Sequence, residues 1–107
     1  MLSDAIVTAG NTIFATIDQA AAARNAGLSL RPTTLIVFGN PKGGTPLMQA
    51  MPLFSLELPL KLLVWEDEGG VHVAYTPMSE IAARWGIEDP RIAAMDHALA
   101  ALISIVS

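Results

Sequence analysis

The chain has 107 residues and a net charge of −4, and both numbers limit what it can be. We expect one domain spanning residues 1–107 from this length. Hydrophobic residues make up 52% of the chain and charged residues 15%, so some apolar surface should face a second copy or a ligand. The negative charge and six scattered basic residues argue against nucleic acid or an anionic membrane as the main partner.

The absence of cysteine excludes disulfides, thiolate metal sites and cysteine nucleophiles. It suits the reducing cytoplasm, which is the expected location. The first residues lack the basic start and the long apolar run of a signal peptide. The apolar stretch from Ala98 to Val106 is too short to span a bilayer, so we expect a soluble protein with no membrane partner.

The first quarter of the chain predicts a helix end, a strand and a second helix. Ser3 to Ala9 is typical of the last turns of a helix that stops at a glycine. Thr12 to Asp18 alternates, which predicts a half-buried strand with Ile13, Ala15 and Ile17 on one face. Asp18 is expected to cap an alanine-rich helix from Gln19 to Ala26.

A buried strand and a glycine-rich segment follow. Thr33 to Phe38 is a near-continuous apolar run, which is typical of a central strand. We expect the segment 39–44 to form a turn because three of its six residues are glycine. A helix should then begin with Thr45 as its N-cap and Pro46 as its first residue, and end near Ala50 ahead of Pro52.

The second half predicts a β-hairpin and two helices. The strands Leu60 to Glu66 and Val71 to Thr76 should pair across the turn 67–70. This register sets Val64 opposite Val73 and Leu62 opposite Tyr75 on one face. The other face receives Leu63 opposite Ala74 and Trp65 opposite His72.

A short helix should run from Pro77 to Gly86, and a longer one from Pro90 to about Val106. In the longer helix an apolar stripe recurs at three- and four-residue steps: Ile92, Met95, Leu99, Leu102 and Val106. The order of elements, about four strands interspersed with helices, predicts a small α+β domain.

The glycine-rich segment is the first candidate site. Backbone N–H groups at a helix start attract anions, and Lys42 would add a positive charge. A small anionic or amphipathic ligand is therefore expected near Asn40, Lys42, Gly43, Gly44 and Thr45. The alternative is that these glycines only turn the chain. The segment is not a nucleotide-binding P-loop, because Lys42 precedes Gly43 and Gly44 instead of following the last glycine.

A mixed apolar and polar sheet face is the second candidate. It would hold Leu63, Trp65, His72 and Ala74, joined by Phe14, Thr16 and Asp18 from the first strand. Such a surface fits a dimer interface, a ligand pocket, or both where two subunits meet.

Chemistry-bearing residues form no catalytic pattern in the sequence. His72 and His97 lack a second ligand at metal-binding spacing, and no serine lies in a nucleophile elbow, so no metal and no cofactor are expected and the catalytic residues stay unknown. Three hypotheses remain open. They are a non-enzymatic homodimeric binding module, an enzyme with a site assembled from Asp18, Lys42 and His72, and a purely structural or interaction protein.

An ordered string of short motifs resembles the domain of unknown function family 302. The motifs lie between about Thr12 and Ile87: Ile17-Asp18, Ala23 to Gly27, Leu30 to Leu35, Phe38 to Lys42, Gly44 to Gln49, Leu58 to Leu60 and Val64 to Glu66. The resemblance implies a TATA-binding-protein-like α+β fold with an antiparallel sheet backed by helices, often as a dimer. It implies no activity, since the family name itself assigns none.

The chain departs from this family in two places. Gln19 stands where members usually carry a histidine after the Ile-Asp pair, which puts any site built on that histidine in question. Members also usually begin with a strand and a full helix, whereas only a helix end, Ser3 to Ala9, is expected here. The lack of that strand would leave one sheet edge open for pairing between chains.

Overall fold

The computed structural model describes residues 2–106, which form five α-helices, a short 3₁₀ helix and one four-stranded sheet. The α+β fold expected from the sequence is therefore confirmed. In chain order the elements are α1 (Leu2–Thr8), β1 (Thr12–Asp18), α2 (Gln19–Asn25), β2 (Thr33–Gly39), α3 (Pro41–Ala50), the 3₁₀ helix (Pro52–Leu56), β3 (Leu60–Asp67), β4 (Gly70–Ala74), α4 (Met78–Trp85) and α5 (Pro90–Val106).

The four strands are antiparallel and lie in the order β1-β2-β3-β4. The predicted hairpin register is confirmed, since Val64 pairs with Val73 and Trp65 pairs with His72. One predicted pair is wrong. β4 ends at Ala74, so Tyr75 has left the sheet and does not pair with Leu62.

The prediction of strict alternation along β1 is wrong because the strand contains a β-bulge. Its register with β2 shifts between Ile13 and Ala15, which leaves Phe14 as the extra residue. Ile13 pairs with buried Phe38 and so lies on the core face. Beyond the bulge the faces are exchanged, and Ala15 and Ile17 lie on the opposite face. Ile13 is also the sole half-buried residue of β1, because this strand is at the sheet edge.

The hydrophobic core lies between one sheet face and the helices. Ile36, Phe38 and Leu62 supply the sheet side, and each is at most 4% exposed. The helices and the 3₁₀ helix contribute Ile6, Leu47, Phe54, Met78, Ile81, Ala82, Ile92, Leu99 and Leu102. The apolar stripe predicted for the last helix thus faces the core at Ile92, Leu99 and Leu102, while the side chain of Val106 lies outside the described residues.

The start of α3 differs from the sequence prediction. The helix begins at Pro41, with Asn40 as its N-cap, and Pro46 lies inside it. Gly43 and Gly44 are therefore helical residues, and neither has a positive φ angle. The predicted turn over residues 39–44 and the predicted Thr45 cap are both wrong. Asn40-Pro41 and Thr45-Pro46 carry the same N-cap and proline signal, and the helix uses the first pair.

Candidate functional site

The revised start of α3 removes the anion site that we expected from free backbone N–H groups. The N–H groups of Gly43 and Gly44 both donate to the Asn40 carbonyl oxygen, at 2.9 and 3.0 Å. The Lys42 N–H donates to Oδ1 of Asn40 at 3.0 Å. Because these donors are already satisfied within the helix, they do not form a cradle for an anion.

A cavity of 390 Å³ lies beside the same residues, and we call it the apolar cavity. It opens where β2 ends, between α3 and α5, and includes the β1 bulge. The candidate residues Asn40, Gly43, Gly44, Thr45 and Phe14 all line it. Lys42 does not, although it lies on the first turn of the same helix.

The wall of the apolar cavity is mostly aliphatic. Met48 of α3, Pro59 and Leu60 at the start of β3, and Met95 and Leu102 of α5 all contribute. The bulge explains the place of Phe14, whose ring reaches toward Gly39 at the end of β2: a Cβ added to Gly39 would lie 3.7 Å from Cε2 of Phe14. Phe14 is 53% exposed, so a large aromatic surface stands open at the cavity mouth.

The cavity wall also carries a few polar side chains. Asn40, Thr45 and Arg91 are among the lining residues. Within the described part of the chain, the amide nitrogen of Asn40 and the hydroxyl of Thr45 form no hydrogen bond. These groups can therefore orient a ligand whose body fills the apolar part.

Arg91 is held by Asp89 and carries no free charge into the cavity. Its Nε and Nη2 donate to the two carboxylate oxygens of Asp89, at 2.9 and 2.6 Å. Asp89 also accepts a hydrogen bond from the Arg91 backbone N–H at 2.9 Å. These bonds lower the pKa of the Asp89 carboxyl to about 2 and raise that of Arg91. The pair is thus neutral in sum, which favours an uncharged or amphipathic ligand over a simple anion.

The second candidate, the sheet face away from the helices, is partly as predicted. We define the open sheet face by the residues whose register places them opposite the core side: Ala15, Ile17, Leu35, Val37, Lys61, Leu63, Trp65, His72 and Ala74. Phe14, Thr16 and Asp18 were expected there and are not, because the bulge exchanges the faces of β1. Asp18 instead caps α2, where it accepts a hydrogen bond from the Ala21 N–H at 2.9 Å.

His72 lies at the hairpin end of the open sheet face and has partners of its own. Its Nε2 lies 2.8 Å from Oδ1 of Asp67, and its ring stacks on Trp65 with centroids 4.5 Å apart. The same carboxylate oxygen accepts the Gly69 N–H at 2.7 Å. The hydrogen bond from His72 and that from Gly69 lower the pKa of Asp67. This arrangement closes the β3–β4 turn, and its groups are engaged with one another.

The structure does not bring Asp18, Lys42 and His72 together. Asp18 pairs with Thr34 at one end of β2, whereas Lys42 follows the other end, a strand length of about 20 Å away. His72 is on β4, three strand spacings or about 14 Å from β1, and on the opposite sheet face from Asp18. The hypothesis of an enzyme site built from these three residues is therefore wrong.

Sequence reasoning missed Arg91 and the α5 side of the cavity. The local signal was present, since Asp89-Pro90 marks a helix start, but nothing in it indicates that this helix start and Asn40 line the same cavity. Gln19, the residue at the unusual family position, is the first residue of α2 and is exposed.

The fold is similar to that of a solved protein. The crystal structure of an uncharacterized conserved DUF302 protein from Bacillus stearothermophilus superposes with a TM-score of 0.87. The match covers 96% of this chain and 83% of the solved chain, at 18% sequence identity. At that identity, the likeness shows the fold alone.

Two curated relatives share part of the sequence. The chain is 49% identical over 61 residues to the fluoride-specific ion channel FluC 1 of Brucella suis biovar 1, and equally to FluC 1 of Brucella abortus biovar 1. Each match covers 57% of this chain but only 24% and 23% of the two relatives. The chain therefore spans about a quarter of their length. Among residues 2–106, no helix is long and apolar enough to cross a membrane.

A family model matches nearly the whole chain. It matches residues 1–106 and describes a domain of unknown function, DUF302. This range is wider than the stretch from Thr12 to Ile87 in which the short motifs lie. It also agrees with the family of the solved protein that shares the fold. The chain belongs to the DUF302 family.

Proposed function

We propose that the chain is a non-enzymatic module that binds a small amphipathic molecule in the apolar cavity. The observation that supports this is the cavity itself. Its volume of 390 Å³ falls in the range of small-molecule sites, and aliphatic side chains with a few polar groups line it. The ligand would place its apolar body against Met95 and Leu102 and a hydrogen-bonding group near Asn40 and Thr45.

The proposed site lies where the sequence predicted an anion site, but the ligand that it would bind is uncharged. The backbone donors of Gly43 and Gly44 are used within α3, and the Arg91 charge is balanced by Asp89. A ligand with a full negative charge would lose its hydration without gaining a free cation. A hydroxyl or another neutral acceptor suits the free groups of Asn40 and Thr45.

Titration of the ¹⁵N-labelled chain with hexanol, followed by NMR, tests the proposal. We expect saturable shifts at the amides of Gly39, Gly43 and Ala98. Ala98→Leu should abolish them, because Ala98 lines the cavity and the larger side chain fills it. Ala100→Leu is the matched control, since Ala100 is also an exposed alanine of α5 but is not part of the cavity wall. Absence of saturation, or equal loss in both variants, would contradict the proposal.

We further propose that two copies associate through the β1 side of the open sheet face, around Ala15, Ile17 and Val37. Four helices, α1, α3, α4 and α5, pack on the opposite face, and Ala15, Ile17 and Val37 form an apolar part of the open sheet face. Ile17 is 40% exposed. Burial of such surface is the usual source of free energy for a homodimer. The proposed setting is the cytoplasm, which suits a chain without cysteine.

The partial relatives support a second candidate function, in which the chain acts alongside an ion channel. A segment 49% identical to part of this chain occurs in proteins named fluoride-specific ion channels. A domain joined to a channel in one protein can act as a separate subunit in another. The chain would then help the cell tolerate fluoride.

Deletion of the gene tests this second candidate. We expect the deleted strain to grow less well in fluoride than its parent, with growth restored by the wild-type chain. Restoration by the Ala98→Leu chain as well would separate this role from ligand binding in the apolar cavity. Equal fluoride tolerance of the deleted and parent strains would rule the candidate out.

A further inference from the structure

A second opening, which we call the edge cleft, lies at the β4 edge of the sheet, where β4 ends. Its volume is 410 Å³, and its residues come from β2, β3, the end of β4 and the segment after it, α4 and α5, together with Glu57 before β3. Leu35, Leu63 and Ala74 form its apolar side on the open sheet face. Met78 and Leu99 form its floor and belong to the core.

The edge cleft exists because β4 is shorter than β3. β3 starts at Leu60, but β4 ends at Ala74, which pairs with Leu63. The first three residues of β3 therefore extend past the end of β4. The chain leaves the sheet at Tyr75 and Thr76 to enter α4 at Met78, and the space between these segments stays open.

Two cationic side chains line this cleft. Lys61 of β3 and Arg84 of α4 are 23 positions apart in the sequence, and both line the cleft. Of the six basic residues of the chain, Arg31 and Arg91 form ion pairs with acidic residues. Over the described residues, neither Lys61 nor Arg84 forms an ion pair or a side-chain hydrogen bond.

The other polar groups of the cleft add donors and one negative charge. Tyr75 and Thr76 bring hydroxyl groups, and Glu57 is the acidic residue in the lining. Two cations and one carboxylate give the cleft a local charge of about +1, against −4 for the whole chain. A local excess of positive charge in an acidic protein, next to free hydroxyls, is suited to an anion.

We propose that the edge cleft binds the anionic group of a small molecule, a carboxylate or a phosphate, with its apolar part against Leu35 and Leu63. Arg84 offers the planar pair of N–H donors that fits either group, and Lys61 adds a second charge. This opening shares only Leu60 with the lining of the apolar cavity, and its ligand would carry a negative charge, whereas the ligand proposed for the apolar cavity is uncharged. Arg84 also lies in the last turn of α4, where a cation stabilises a helix end, and the experiment must separate the two roles.

NMR titration of the full chain with phenyl phosphate, benzoate and benzyl alcohol tests the proposal. The two anions share a ring with the uncharged alcohol and differ from each other in the anionic group. We expect at least one anion to give saturable shifts at the amides of Lys61, Leu63, Thr76 and Arg84, and benzyl alcohol to leave these amides unmoved. The anion with the higher affinity identifies the preferred group.

Single substitutions then assign the binding to the cleft. Arg84→Gln and Lys61→Gln should each weaken binding about tenfold, the loss expected for one charge-assisted hydrogen bond. Arg24→Gln is the matched control: it changes the net charge equally, and Arg24 is an exposed cation of α2 outside the cleft. Glu57→Gln should tighten binding, because it removes a repelling carboxylate. If Arg84 had only a structural role, Glu57→Gln would not increase the affinity for the anion.

Several results would overturn the proposal: no saturable shift with either anion, saturation by benzyl alcohol at the same amides, or equal weakening by Arg24→Gln and Arg84→Gln. Lys61 and Arg84 are exposed, so both variants should keep the dispersed spectrum of the folded chain. If Arg84→Gln unfolds, Lys61→Gln and Glu57→Gln still decide the question. Failure of hexanol to bind the apolar cavity would leave this result unaffected.

Discussion

The carboxylate of Asp96 in α5 caps the N-terminus of α4 by accepting the backbone N–H of Met78. Its second oxygen accepts the N–H of Ser79 at 3.0 Å. The residue before α4 is Pro77, which provides no side-chain cap of its own. A side chain 18 positions further along the chain thus replaces the usual local cap and joins α4 to α5.

Asp96→Ala should destabilise the protein by about 1–2 kcal/mol, since two helix-end N–H groups lose their acceptor. Urea denaturation measures the change. Glu88→Ala is the control, because Glu88 is an exposed acid in the loop before α5 whose side chain has no hydrogen bond within the described residues. An equal, small effect of both substitutions would show that the Asp96 cap contributes little.

Gly43→Ala should stabilise the protein by about 0.5–1 kcal/mol. Gly43 is the third residue of α3 and has no positive φ angle, and an added Cβ meets nothing within 4 Å. Gly86→Ala is the contrasting substitution. Gly86 is the C-cap of α4 and has a φ of 67°, so this substitution should lower the stability of the protein. Thermal unfolding measures both. Loss of stability in Gly43→Ala would favour the glycine turn that the sequence predicts.

The Asp89–Arg91 pair predicts a defined pH dependence. The pKa of Asp89 is lowered from 3.8 to about 2, so its contribution to stability is present above pH 3.8 and is lost as the pH falls toward 2. Asp89→Asn should therefore lower the melting temperature at pH 6. The difference from the wild type should shrink between pH 4 and pH 2. A constant difference across that range would show that the ionised carboxylate of Asp89 is not responsible.

Ile17→Glu should dissociate the proposed homodimer. A carboxylate placed in an apolar interface loses its hydration without a partner, so the dimer dissociation constant should rise by about 100-fold or more. Sedimentation equilibrium measures this constant. Leu56→Glu is the control, because Leu56 is 77% exposed in the 3₁₀ helix, away from the open sheet face. A monomeric wild-type chain at micromolar concentration would contradict the dimer itself.

Most of the fold could be predicted because its signals are local. Asp18 marked the start of α2, and Pro52 marked the end of α3. The alternation around Val64 and Val73 predicted the hairpin register. The sequence predicted the location of the candidate site but not its local structure. Asn40, Gly43 and Thr45 do line a cavity, but the helix around them begins five residues earlier than expected, because two equivalent Asn/Thr-Pro signals compete.

The residues by themselves determined the order of elements, the antiparallel hairpin and the absence of thiol chemistry, since each follows from composition or from neighbours within a few positions. Only the tertiary structure decided which groups meet. The bulge at Phe14 exchanges the faces of β1, α5 brings Arg91 to the cavity beside Asn40, and α4 brings Arg84 to the cleft that Lys61 lines. These arrangements of residues that are distant in the sequence depend on how the whole core packs, and no local sequence pattern encodes that packing.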